Sequence, residues 1–303
     1  MIKVLLVALA IVLDGTSAVA KGAVLGADTS NAWREYVTAA DSVMKARLSG
    51  HLPFLWTDEV AERRQRVLRG ETVVAPVIRN GLKSVPGGLI HHWTGSLFTP
   101  NVTIRQFITV LHQYNRYKEF YRPLVMDSML CSATPSSQEF AMILQYKVVF
   151  ANLVFESQYL SNDFVLDARR RYSIADTIRV QEIEGYGTAA ERRLPQGEGT
   201  GLVWGLHTIV RYEERDGGVY LELEALALSR SVPGALRWFV GPLIRSISSS
   251  SLEAALQKTR NAVSSAEAPT LEAQSESGKS RTWAHCNCTG LRRAGVAPSS
   301  LSK

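Results

Sequence analysis

The spacing of apolar residues along the chain changes from three-and-four to two and back again, and each change marks a boundary. Trp33, Tyr36, Val37, Ala40, Val43, Met44 and Leu48 recur at helical spacing, which predicts an amphipathic helix over residues 30–49. A second helix is expected from Thr57 to Arg69, with Arg63, Arg64 and Arg66 on its wet side. Pro76 to Gly88 reads as a linker ending in a Pro86-Gly-Gly turn. Gly88 to Thr99 then reads as a strand. Pro100-Asn-Val-Thr103 opens a helical stretch carrying Ile104, Phe107, Ile108 and Leu111, and a shorter helix carries Tyr114, Tyr117, Phe120 and Tyr121 before Pro123. From Leu124 the period becomes two. Strands are expected at 124–133, 139–149, 152–161, 169–183, 202–214 and 218–229.

Asp216-Gly217 between the last two runs is a strong hairpin signal. In this pair Trp204, Leu206, Thr208, Val210 and Tyr212 share one face of the first strand, and Leu221, Leu223, Ala225 and Ala227 one face of the second. His207, Arg211, Glu213, Tyr220, Glu222 and Glu224 take the opposite faces, so the expectation is one packed face and one wet face. The helical period returns at Leu236, Phe239, Val240, Leu243, Ile244 and Ile247. Pro242 is expected to break or kink it, and Ser250-x-x-Glu253 to start a fresh segment over 251–263. After Ala266 periodicity ceases, and residues 265–303 read as disordered.

Charge changes the picture less than its total suggests. The net charge is +6, but Glu276 to Lys303 holds five basic residues against one Glu, which leaves about +2 for residues 21–275. A nucleic-acid partner is therefore not expected. Lys3, the unbroken apolar run Val4–Leu13 and Ala18-Val-Ala20 have the three zones of a cleaved secretory signal over residues 1–20. The run is too short to span a bilayer as a helix. The expected location is therefore secreted or periplasmic. The three cysteines show no paired spacing, and Cys131 reads as a small buried hydrophobe.

One strand, two short helices, six strands and a terminal helix predict an α+β fold over residues 85–264, preceded by an N-terminal helical segment and linker over 21–84. A seven-stranded antiparallel sheet is too wide to stay flat, so it should curl around the long C-terminal helix and leave a cavity between them. This order resembles the helix-grip fold of START-like (SRPBCC) proteins, which include lipid-transfer domains, birch-pollen-allergen-like carriers and polyketide cyclases. The runs GGLIHHWTGSLFTP (87–100), YNRYKEFYRP (114–123), VRYEERDGGVYLELEALALSRSVP (210–233) and GPLIRSI (241–247) are similar to a group of exported bacterial members. The resemblance implies a hydrophobic small-molecule ligand, lipid or polyketide-like. It implies no shared catalytic motif, because fold does not fix function.

Trp93, Tyr121, Tyr146, Trp204 and Tyr212 are the aromatic candidates for lining the cavity, and Arg179 is a candidate anchor for an acidic ligand head. His91 and His92 are adjacent on a strand and must face opposite ways, so they cannot hold one ion together. One of them facing the cavity would be the acid–base group of a cyclase or dehydratase, the alternative to a pure binding protein. The plainer account is one core and one surface histidine. Glu222 and Glu224 share a face with Arg211 and read as a solvated cross-strand charge group. Pro195–Gly201 reads as a mobile loop near the cavity mouth. His285-Cys-Asn-Cys288 is too tight for a tetrahedral metal site, and no metal or cofactor is expected. Arg169–Arg171 and Arg192–Arg193 are either a membrane-surface contact or a solvated edge. A third functional reading has the N-terminal helices dock an envelope partner or plug the cavity.

Overall fold

The first apolar stripe forms helix α1 (Ala27–Leu48), which buries Ala40 and Met44. A 3-10 turn (Trp56–Glu59) and helix α2 (Ala61–Leu68) follow, so the expected second helix is split at Val60, whose backbone is extended. The computed structural model describes residues 22–148, 151–232 and 234–265. The secretory signal of residues 1–20, the tail beyond Ser265 and the His285–Cys288 cluster lie outside the described residues.

Strands β1 (Val73–Pro76) and β2 (Leu82–Val85) both pair with the long strand β3 (Gly88–Pro100). The stretch expected to be a linker therefore contributes to the sheet. Helix α3 (Ile104–Leu111) starts at a reciprocal capping box between Thr103 and Gln106, and the short α4 (Tyr117–Phe120) precedes Pro123. The alternating region becomes β4 (Val125–Ala133), β5 (Ser137–Val148), β6 (Ala151–Val165), β7 (Arg170–Glu184), the two-residue β8 (Arg192–Arg193), β9 (Gly205–Arg215) and β10 (Gly218–Arg230). Asp216 and Gly217 both take positive φ (55° and 78°), as a tight two-residue hairpin turn requires. Cys131, expected as a small buried hydrophobe, is half-buried on β4 and disulfide-bonded.

All pairings are antiparallel, in the order β1-β3-β10-β9-β7-β6-β5-β4, with β2 beside β3 and β8 beside β7. The sheet thus has ten strands among the described residues where seven were expected; the additions are the short β1, β2 and β8. Helix α5 runs unbroken from Gly234 to Ser265 with Pro242 inside it, so neither the expected break nor a fresh start at Ser250 occurs. Its second half is clasped tightly. Leu252, Leu256, Ala262 and Val263 pack with Trp93, Leu97, Ile104 and Phe107. A Cβ on Gly95 would come within 2.6 Å of Leu256, so the absent side chain lets the helix close onto β3. This is the helix-grip architecture, α+β, with a broad antiparallel sheet and a long C-terminal helix.

The opposite face of the sheet is where the structure departs most from expectation. Over the middle of its central strands it does not meet water. Helix α1, the 3-10 turn and α2 lie across it, and Met44, Phe54, Leu55 and Val67 pack against Phe98, Ile209 and Tyr220. The N-terminal helices therefore cover the outside of the sheet and do not plug the space beneath α5.

Candidate functional site

Alternation along β9 and β10 gives the two faces different surroundings. On the outer face His207, Ile209, Arg211, Glu222, Glu224, Leu226 and Leu228 are buried. On the face toward α5, Leu206, Thr208, Val210, Leu223, Ala225 and Ala227 are only half-buried, although they lie mid-sheet under a helix. Central apolar side chains on this face are thus less completely covered than those on the outer face. The first half of α5 matches this. Its described residues from Pro242 to Ser251 are half-buried or exposed, whereas Leu252, Leu256, Thr259, Ala262 and Val263 are buried. Among its described residues the helix is gripped from Leu252 to Val263 and is less buried from Pro242 to Ser251.

The face toward α5 is also rich in tyrosine. Tyr114 stacks on Phe140 (4.4 Å between centroids), and Phe140 on Tyr159 (4.9 Å). Tyr117 donates to the Leu111 carbonyl (2.6 Å). Burial holds the phenols of Tyr114, Tyr117 and Tyr159 well above their ordinary range, so they are neutral hydroxyls at physiological pH. His112 Nε2 lies 3.0 Å from Asp163 Oδ2. Glu182, opposite Phe155 in the ladder, accepts from the Thr200 backbone and hydroxyl, both at 2.8 Å. That bond, with Ala23 N–H to Gly199 O (2.8 Å) and Leu25 N–H to Gly197 O (2.9 Å), ties down the Gly-rich loop expected to be mobile.

The sequence candidates scatter over this frame. Tyr146 is half-buried on β5 beside Phe155 (5.9 Å, T-shaped), and burial pushes its phenol up to about 12. Tyr121 braces α4 against α5 through Thr259 Oγ1 (2.9 Å). Tyr212 is buried against Phe107, and Trp93 is buried in the same cluster over Gly81. Both pack under the clasped half of α5. Trp204 lies just ahead of β9, half-buried, where a Cβ on Gly201 would meet its ring at 3.0 Å. Arg179 faces away from α5. A bulge at Ile178 shifts the register, so Thr177 pairs with Tyr159 but Arg179 pairs with Gln158, on the outer side. Simple alternation had put Arg179 with Thr177.

The two histidines do face opposite ways. His91 points toward α5, with Nδ1 3.2 Å from Ser248 Oγ and Nε2 2.9 Å from Ser229 Oγ. Burial pushes its imidazole down to about 4, so the ring is neutral at physiological pH. His92 is buried on the outer face, not at the surface. Its Nδ1 is 2.9 Å from Tyr36 Oη on α1, and its Nε2 donates to Glu224 Oε1 (2.9 Å). It is out of reach of anything held beneath α5.

The predicted solvated charge group is a buried network. Arg211 is 1% exposed and Glu222 0%. Arg211 donates through Nε to Glu222 (3.1 Å) and through a terminal nitrogen to Glu224 (3.0 Å). Glu222 also accepts the backbone N–H groups of Trp56 (2.7 Å) and Thr57 (2.6 Å) and the Thr57 hydroxyl (2.6 Å). Burial alone would raise Glu224, but His92 and Arg211 hold it down at about 2. Nearby, His207 sits between Asp176 (2.7 Å) and Asp41 of α1 (3.4 Å). Burial alone would lower it, yet these carboxylates raise it to about 9. The carboxylates thus dock the N-terminal segment and are not arranged for acid–base work. Among the described residues no group of three or more His, Cys, Asp or Glu is placed to hold a metal ion.

No family model and no curated protein matches this chain. Solved structures do. A STAR-related lipid transfer protein (fragment 25-204) from Xanthomonas axonopodis is 15% identical, with 61% of this chain and 99% of that one covered at a TM-score of 0.41. The Zhui aromatase/cyclase from Streptomyces sp. R1128 is 11% identical, with 58% and 94% covered at 0.40. Human STARD10 is 10% identical, with 62% and 75% covered at 0.39. By the order of its strands and the long helix that its sheet clasps, the chain has a helix-grip fold.

Proposed function

We propose that this chain is an exported carrier that holds a hydrophobic small molecule between its sheet and α5. The observation that carries this reading is the set of apolar side chains at mid-sheet, Leu206, Val210, Leu223, Ala225 and Ala227, that stay only half-buried on the face toward α5. Affinity would come from apolar burial, at about 25 cal/mol per Å² removed from water. Tyrosine hydroxyls kept neutral by burial would orient polar atoms of the guest without charge. A lipid or a polyketide-like compound is the class that the START-like resemblance implies. Binding without turnover is the better-supported form of the proposal, because both ring nitrogens of His91 already have serine partners and His92 faces the other way.

The test is native mass spectrometry of the protein recovered from the cell envelope, followed by extraction of any retained compound and sequencing of the N-terminus. A non-covalent organic adduct and a terminus near Lys21 are expected. An interior packed solid with side chains in a crystal structure would overturn the carrier reading, and an unprocessed cytoplasmic chain would overturn export.

A further inference from the structure

The β6–β7 hairpin ends in an apolar tip that the carrier function does not use. Phe164, Val165 and Leu166 are consecutive and 40%, 64% and 39% exposed. Phe164 stacks on Tyr172 (4.5 Å, 10° between planes), so the aromatic element of the tip is held on its strand. Three arginines follow after Asp167 and Ala168. Arg169 and Arg170 are exposed, and Arg171 is half-buried.

The turn itself is stiff. Asp167 Oδ1 accepts the backbone N–H groups of Arg169 and Arg170, both at 2.8 Å, and its Oδ2 accepts from the Arg170 side chain (2.8 Å). Glu214 N–H to Arg169 O (2.8 Å) fixes the tip to the end of β9, and Glu214 in turn accepts the Ile104 N–H at the start of α3 (2.7 Å). Arg105 is exposed on that first turn. Among the described residues neither Arg105 nor Arg169 has an ion-pair partner, whereas Asp58 and Asp216 nearby are paired with Arg64 and Arg215. The acidic groups at this end are already engaged, and two cations are not.

We propose that this end of the molecule docks on a membrane surface containing anionic lipid. Phe164, Val165 and Leu166 enter the headgroup–acyl boundary, and Arg169 and Arg105 contact phosphates. A rigid apolar tip ringed by arginine matches such a surface in both chemistries, since apolar burial holds it and basic residues near a negative leaflet add to that hold. A water-soluble partner with an acidic patch would use the arginines but leave the apolar tip without a role. The inference stands independently of the ligand beneath α5, because it concerns the outside of a hairpin.

The test uses the full chain in co-sedimentation with phosphatidylcholine vesicles, with and without phosphatidylglycerol. The protein is expected to partition onto the phosphatidylglycerol vesicles and to leave them as salt is raised. A V165D/L166D variant should lose at least about tenfold in partitioning, and R105Q/R169Q a similar amount on the anionic vesicles only. Both pairs are surface positions, and an unchanged melting temperature confirms folding. Ile178→Asp, an exposed apolar residue on the bulge of β7, should bind as wild type. Absence of vesicle binding, or equal loss from V165D/L166D and Ile178→Asp, would overturn the proposal. So would binding that persists in V165D/L166D, which would point to an acidic protein partner for the arginines.

Discussion

The two faces of the central strands are built from the same alternation, yet each does the reverse of what its residue types suggest. The face with arginine, glutamate and histidine is the dry one, sealed by the N-terminal helices. The face with leucine, valine and alanine is the one that solvent reaches. Burying Arg211, Glu222 and Glu224 is costly, and the arrangement survives because each charge is partnered, Glu222 also by backbone N–H groups of the covering turn and Glu224 also by His92. That ties the outer face to its cover through named partners. The inner face, with no charge pairs along its central strands, is permissive. One surface is committed to its own chain, and the other is the one proposed to hold a guest.

The largest effect is expected where that commitment is broken. Arg211→Met leaves two buried carboxylates without their cation and should cost about 3–5 kcal/mol in chemical denaturation. A cost below about 1 kcal/mol would show that the network is not what holds the cover. Truncation on the two faces of β10 sharpens the same contrast. Leu226→Ala on the sealed face should cost about 3 kcal/mol. Leu223→Ala, three residues away on the accessible face, should cost about 1 kcal/mol, since it removes less burial.

The histidines give the comparison opposite signs in pH. His207, raised to about 9 from an ordinary 6.5, contributes stability that is complete below pH 6.5 and is lost as pH rises through 9. His91, lowered to about 4, contributes stability that is complete above pH 6.5 and is lost as pH falls from 6.5 toward 4. Each effect is on the order of 2 kcal/mol, given that Asp176 beside His207 is itself half-exposed. Melting curves against pH should show His207→Asn flattening the alkaline limb and His91→Asn the acid limb. A single variant that flattened both would break the account.

The strand-by-strand order was legible in the sequence because period-two alternation and the Asp216-Gly217 turn are local signals. What escaped was everything that depends on one segment covering another. Nothing near Glu222 says that Trp56 and Thr57, far earlier in the chain, will hand it their N–H groups, so a charge group destined for burial reads as a wet one. Arg179 was misplaced for a related reason. One extra residue at Ile178 flips the strand, and bulges leave little trace in composition. The aromatic candidates were chosen one strand or helix at a time, which passes over the cluster of Tyr114, Phe140 and Tyr159, whose meeting depends on short helices folding back over β5 and β6. The short strands β1 and β2 were hidden by the Pro and Gly around them.

The claim at the centre is that the space beneath α5 is open and apolar, and Nile red titration of three full-length proteins tests it most directly. Wild type and an outer-face control, Leu226→Met, should both take up the dye with saturating fluorescence. Ala225→Trp, which fills the space from the middle of β10, should fold with a stability within about 1 kcal/mol of wild type and lose uptake. Equal dye uptake by all three, or a wild type that takes up none, would contradict the account.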